Sequence, residues 1–231
     1  MALENGTHLM AARQIDLITS WNLWLARFNE GNPFTGPSLH FHKKTLEILR
    51  KYRFSLDALY DDLYFDYLYA TLASWGMHRM GRGGPKLRDL EVIREGFMDL
   101  QTEIEELLPY KLTQIDAKEF LNICEKLWQI LSRLVVSRSR IMLIANSKAL
   151  HHLLPDLVPP IDRQYSLRFF FNHNRIYDEK RQFIIIYMSY YAIAHQMRES
   201  IANLVRESRD WNTSETKVID NAIIGYVLAN S

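Results

Sequence analysis

The side chains with most chemistry to offer gather in one stretch, Asn146 to Phe171, which reads NSKALHHLLPDLVPPIDRQYSLRFFF. It holds an amine at Lys148, adjacent imidazoles at His151 and His152, a carboxylate at Asp162 and a guanidinium at Arg163. An amine is a nucleophile once it has lost its proton, and a carboxylate acts as acid, base or helix cap. The two histidines are neighbours on a predicted helix, so their side chains diverge by about 100° and do not converge on one metal ion. A structural or solvent-facing use is the alternative. His40 and His42 meet the same obstacle on a helix, although an extended start at Ser38 brings them to one face.

Two basic clusters flank this stretch in sequence. One surrounds the glycine-rich segment Gly76 to Pro85, with His78, Arg79, Arg82, Lys86 and Arg88, and the other comprises Arg133, Arg138, Arg140 and Lys148. Forked guanidinium donors and exposed backbone N–H groups suit phosphate oxygens, so Arg79, Arg82, Lys86, Arg138 and Arg140 are the candidate phosphate-binding set. There is no P-loop, because GxxxxGK followed by Ser or Thr is absent. If the clusters converge they form a phosphate-binding surface, and otherwise they are ordinary surface charge. Asp57, Asp61, Asp62 and Asp66 share a helix face that suits a divalent ion, a basic partner helix or plain solvation. Aromatic runs at Tyr60 to Tyr69 and Phe169 to Phe171 have the helical spacing of core, with the tyrosine hydroxyls requiring polar partners where buried.

A lysine on a short helix, a turn, an extended proline-bearing segment and an aspartate opening the next helix together resemble the core of the helix-hairpin-helix DNA glycosylase superfamily, over residues 134 to 172. The positions matching that family's glycine-rich hairpin read Ile144, Ala145, Asn146 and Ser147. The resemblance implies DNA as partner, Lys148 as the amine that attacks the sugar carbon, and Asp162 as the group assisting departure of the base. On its own residues the pair also has a plainer reading, Asp162 as an N-cap and Lys148 as an exposed helix lysine. Two functions follow: a nucleic-acid-binding protein acting on a damaged or extruded base, or a non-catalytic helical interaction module that docks through its proline segment and acidic helix.

The elements that must position these groups are helical. Apolar spacing predicts helices over Met10 to Phe28, Ser38 to Tyr52, Ser55 to Trp75, Leu87 to Leu108, Asp116 to Val136, Ser147 to Leu154, Arg163 to Asn172, Glu179 to Ser208 and Asn212 to Ala229. Ser38, Ser55, Ser147, Asp162 and Asp178 are predicted caps, and Asp116 with Glu119 and Asn212 with Glu215 are predicted capping boxes. Phe183, Tyr187, Tyr190, Ala194, Met197, Ile201 and Leu204 form a continuous buried stripe. No segment alternates like a strand, so the expectation is all-α, one domain over 1–231 of about eight or nine helices, with Gly76 to Pro85 as a flexible loop and the best candidate boundary.

Composition narrows the function classes. With 28 Lys+Arg against 27 Asp+Glu the net charge is +1, so nucleic acid or anionic lipid finds no global field, only local patches. The lone cysteine, Cys124, excludes intramolecular disulfides and multi-cysteine metal sites and fits a reducing cytoplasm. The first residues lack the basic start and apolar core of a secretory signal, and Phe183 to Ala194 is too short to span a bilayer. A soluble cytoplasmic protein is expected, with no metal, cofactor or membrane partner.

Overall fold

Long apolar stripes in this chain are interrupted without losing phase, and the helices are therefore shorter and more numerous than spacing alone predicts. The computed structural model describes residues 2–31, 33–34, 36–77, 80–81 and 84–230. Among them are twelve α-helices, against the expected eight or nine. They are α1 (Ala2–Thr19), α2 (Trp21–Gly31), α3 (Ser38–Lys51), α4 (Asp62–Leu72), α5 (Leu90–Met98), α6 (Gln101–Glu105), α7 (Phe120–Arg133), α8 (Leu143–His151), α9 (Ser166–Phe171), α10 (Glu179–Gln196), α11 (Arg198–Glu207) and α12 (Glu215–Ala229). The all-α expectation holds. Extended pairing among the described residues is confined to a two-residue antiparallel ladder, Met80–Gly81 with Gly84–Pro85, and one bridge between Leu87 and Ser137. No helix among the described residues is long and apolar enough to cross a membrane.

One or two residues make the interruptions. Ser20 separates α1 from α2, Asp99 and Leu100 (φ −108°, ψ 10° at Leu100) separate α5 from α6, and Met197 (φ −106°, ψ 16°) separates α10 from α11. Ser55 caps as predicted, accepting the Asp57 N–H at 3.3 Å, but it opens only a 3₁₀ turn over Leu56–Tyr60. Asp61 then re-caps the chain for α4, accepting the Leu63 N–H at 3.0 Å. The acidic set is thereby split between two elements, and Asp61 is tied to Lys51 and Tyr52 at 3.0 Å each while Asp62 meets Arg94 at 2.7 Å.

Other caps differ from expectation. Ser38 lies inside the first turn of α3 and donates to the Ser74 carbonyl. Ser147 is buried in the interior of α8, its hydroxyl donating back to the Ile144 carbonyl, so Ile144 to Ser147 forms helix and not a hairpin. Asp116 accepts the Lys118 N–H at 2.8 Å without a reciprocal bond from Glu119. The cap of α12 is Ser214, since Glu215 is drawn away to accept from the backbone and hydroxyl of Thr113 at 2.9 and 2.8 Å. Asp178 does cap α10, accepting the Arg181 N–H at 3.0 Å.

Residue contacts gather into two compact units, neither a continuous stretch: Met1–Pro33 with Leu112–Gln114 and Pro159–Ser231, and Phe34–Lys111 with Ile115–Val158. The Gly76 to Pro85 loop thus belongs to the interior of the second unit's sequence. In the first unit α12 is central and buried on nearly every side, with α2 against it so closely that a Cβ at Gly225 would stand 1.8 Å from the Trp24 carbonyl oxygen. The predicted stripe on α10 lines this core, with Phe183, Tyr187, Tyr190 and Ala194 buried. In the second unit α3 lies along α4, and α8 meets both α4 and α7. Asn146 fastens α8 to the end of α7 by donating to the carbonyls of Leu131 and Leu134, which the helix end leaves unsatisfied.

Candidate functional site

Helix α8 is buried from Ala145 to His151, and that burial overturns the exposed readings of its polar side chains. Lys148 keeps 8% of its surface, and His151 and His152 keep none. His42 on α3 is equally buried, whereas His40 is exposed, so that pair is divided by the helix instead of sharing a face. Past α4 the chain widens into a looser helical turn at Ala73–Met77. Its helical geometry breaks at Gly76, whose φ of 83° is a conformation that favours glycine. It delivers Trp75 into the middle of the second unit's polar cluster.

Trp75 is the hub. Its ring centroid lies 4.9 Å from that of His152, 5.4 Å from His42 and 6.3 Å from His151, with Phe34 on it at 6.3 Å. The Lys148 ammonium stands 5.8 Å from the same ring, within reach of a cation–π attraction. Among the described residues no hydrogen bond or ion pair engages that ammonium.

The imidazoles are ordered by carbonyls. A carbonyl only accepts, so His152 Nδ1 donates to the Lys148 carbonyl at 2.7 Å, and in the neutral ring its Nε2 is the acceptor. His42 Nδ1 therefore donates to His152 Nε2 at 2.9 Å, which leaves the lone pair of His42 on Nε2. His151 Nδ1 donates to the Val158 carbonyl at 2.8 Å, with the same consequence for its own Nε2. The His42 and His151 rings lie parallel at 6.1 Å. The cluster thus unites a buried amine, a partly exposed indole and two imidazoles whose acceptor nitrogens are set by the backbone. Among the described residues no group of three His, Cys, Asp or Glu side chains is arranged to hold a metal.

Asp162 belongs to the first unit and closes the turn before α9 instead of capping a helix that starts at Arg163; the N-cap position of α9 is Tyr165. Its carboxylate accepts the N–H groups of Tyr165 at 2.7 Å and Ser166 at 3.3 Å, and its own N–H donates to the Ser166 hydroxyl at 3.0 Å. Helix α9 starts at Ser166, with Arg163 exposed in the turn before it. Of the candidate phosphate set, Arg79 and Arg82 lie outside the described residues. Lys86, Arg138 and Arg140 are exposed. The two basic stretches do meet through backbone, as the Arg138 N–H donates to the Lys86 carbonyl at 2.7 Å, but the Arg138 side chain leans on Asp89 at 3.4 Å and Arg133 on Glu103.

A second polar cluster, in the first unit, escaped the sequence reading. Lys217 is fully buried, its ammonium 2.6 Å from Asp220 and 2.9 Å from the Asn221 amide oxygen, over the rings of Trp211 and Phe28 at 5.3 and 5.7 Å. Asn221 in turn donates to the Trp211 carbonyl and to Asn212. Burial, with Asp220 and Asp162 adding to it, pushes the Tyr190 hydroxyl well above the usual phenol range, and the same causes raise Tyr165. No family model matches the chain, and comparison with curated proteins and with solved structures finds nothing similar.

Proposed function

We propose that the chain is a nucleic-acid-directed protein that acts on a sugar–base bond in a glycosylase-like manner, with the Lys148 amine as nucleophile. The observation that carries this reading is a lysine with 8% of its surface exposed, free of any carboxylate partner among the described residues, beside an indole and acceptor imidazole nitrogens. A buried cation without a counter-charge costs stability, so such an arrangement calls for a use. With its proton lost to solvent, the amine attacks C1′ as the bond from C1′ to the base nitrogen breaks, the electron pair leaving on the base, which takes a proton from solvent. The attached nitrogen then sheds a second proton, and the C1′–O4′ bond opens with O4′ protonated, leaving the sugar joined to Nζ as a Schiff base. Asp162 assists base departure by the resemblance alone, and Asp162→Asn tests it cleanly because asparagine keeps the acceptor oxygen that closes the turn while removing the charge.

Borohydride reduction during incubation with lesion-bearing duplexes is the decisive experiment. A covalent protein–DNA adduct is expected, lost in Lys148→Gln, with release of free base assayed alongside. No adduct, no base release and no salt-sensitive DNA binding would together dispose of the reading. A non-catalytic interaction module is the second reading, favoured by surface cations that already hold carboxylates: Arg94 with Asp62, Lys126 with Glu106 and Arg133 with Glu103. It expects DNA binding to be weak at every salt concentration.

A further inference from the structure

The first unit holds a cavity of about 380 Å³ at the end of α9, and apart from Val227 its lining is donors and rings. Among the residues around it are Arg13, Arg168, Asn172, His173, Phe169 and Tyr226, with no Asp or Glu. A helix C-terminus ordinarily repels an anion through its unpaired carbonyls. Here Arg13 answers them, donating from Nη1 to the carbonyls of Arg168 and Phe169 at 2.8 and 2.9 Å. Its Nη2 donates to the Asn172 amide oxygen at 2.8 Å, which commits that oxygen and leaves the Asn172 amide NH₂ as a donor.

His173 is ordered in the same way. Its Nδ1 accepts the Arg175 N–H at 3.3 Å, so the neutral ring carries its proton on Nε2, again a donor. The ring is held by stacking on Phe171 at 5.8 Å and by the edge of Tyr177 at 5.3 Å. The Arg168 guanidinium is exposed and, among the described residues, has no hydrogen-bonding or ion-pair partner. Tyr226, partly exposed, forms the aromatic wall, its ring held edge to face at 5.1 Å by the buried Phe169.

We propose that this cavity binds a phosphate monoester carrying a planar group, with Arg168, His173 and Asn172 on the phosphate oxygens and the aromatic wall against the ring. A forked guanidinium, an imidazole N–H and an amide are three independent donors, and a phosphate monoester presents three terminal oxygens to receive them. The volume falls at the small-molecule end of ligand cavities, roughly 300–1,000 Å³, and exceeds what a bare oxyanion fills. The ligand is either a free nucleoside monophosphate or the 5′-phosphorylated end of a nucleic-acid strand. The inference stands apart from the amine chemistry of Lys148, and trapping through Lys148 is measured separately, so one can fail while the other holds.

The test is calorimetric titration of the full chain at low salt with adenosine 5′-monophosphate, adenosine, inorganic phosphate, and a short single strand bearing either a 5′-phosphate or a 5′-hydroxyl. The monophosphate is expected to bind at least about tenfold more tightly than adenosine or inorganic phosphate, and Arg168→Gln to remove about tenfold or more of that affinity. Arg181→Gln, an exposed cation outside the cavity, leaves it unchanged. A 5′-phosphorylated strand that matches the mononucleotide while its 5′-hydroxyl counterpart does not identifies a strand end. A strand that binds equally with either end assigns the site to the free nucleotide. Equal affinity for adenosine and its monophosphate, affinity indifferent to Arg168→Gln, or no binding by any of these probes would overturn the proposal.

Discussion

Lys148→Met separates a lysine kept for chemistry from one kept for packing. Methionine follows the same unbranched path and retains contact with Trp75 while removing the ammonium. Holding a fully buried ion costs several kcal/mol. For Lys148 that cost is reduced by the 8% of its surface left exposed and by its place 5.8 Å from the Trp75 ring. The cation–π attraction returns about 0.5–2 kcal/mol, leaving a net gain from methionine of about 1–2 kcal/mol. For a chain of this length that corresponds to a melting temperature higher by roughly 2–8 °C. Lys217→Met in the first unit is the control of opposite sign. There the ammonium meets Asp220 at 2.6 Å, and its removal strands a buried carboxylate. Breaking such a pair costs about 3–5 kcal/mol. Urea denaturation with matched slopes, together with calorimetric melting, reads both. If Lys148→Met loses stability by about 1 kcal/mol or more, the ammonium is held by interactions that methionine cannot replace, and the argument that it is retained for reactivity fails.

Four further outcomes follow from single contacts. Gly225→Ala places a methyl 1.8 Å from the Trp24 carbonyl oxygen, so α2 and α12 must separate; a loss of about 3 kcal/mol or more is expected, and an unchanged urea midpoint would show that the helices are not so close. Asn146→Ala frees the two carbonyls at the end of α7 and is expected to cost about 2–3 kcal/mol by chemical denaturation. Asp162→Ala should lose about 1 kcal/mol of stability and Asp162→Asn almost none, whereas equal losses would mean that the charge itself is needed. Burial holds the Tyr64 and Tyr190 hydroxyls above the usual phenol range. The unfolded chain releases those protons first, so this contribution to stability is complete below about pH 10 and declines as pH rises through that value. Absorbance at alkaline pH should then show tyrosines that ionise only as the protein unfolds.

Periodicity reports which face of a helix is buried but says little about where the helix stops. The stripe from Phe183 to Leu204 keeps its phase across Met197, so the break between α10 and α11 is invisible to apolar spacing and costs one irregular residue. Capping chemistry was legible where a side chain had nothing better to bind. Asp178 is exposed and caps, whereas Glu215 is buried and takes the Thr113 donors, leaving the end of α12 to Ser214. The competition between a local cap and a distant buried donor is decided by packing, which no short window contains.

The same limit separates the parts of the candidate site that could be found from those that could not. Helix α8 is buried nearly all round, and a helix without a solvent face has no polar side to reveal, so Lys148 reads as surface when it is core, and the paired histidines read equally as structural or solvent-facing. His42 did carry a signal, because it stands four residues before Leu46 and seven before Leu49 and so shares their buried stripe, yet pairing it with His40 obscured that phase. Lys217 and Asp220 carried a clearer one: opposite charges three apart that lead into an apolar run, where solvation cannot satisfy them and pairing must. Charges that interrupt an apolar helix are therefore better guides to buried chemistry here than clusters of like charge. The basic clusters at the ends of loops were prominent in sequence, and Arg133 and Arg138 in them lean on carboxylates. The Arg168 guanidinium, by contrast, sits within the aromatic run SLRFFF, where composition gave no prominence to a cation that the fold places at the mouth of a cavity.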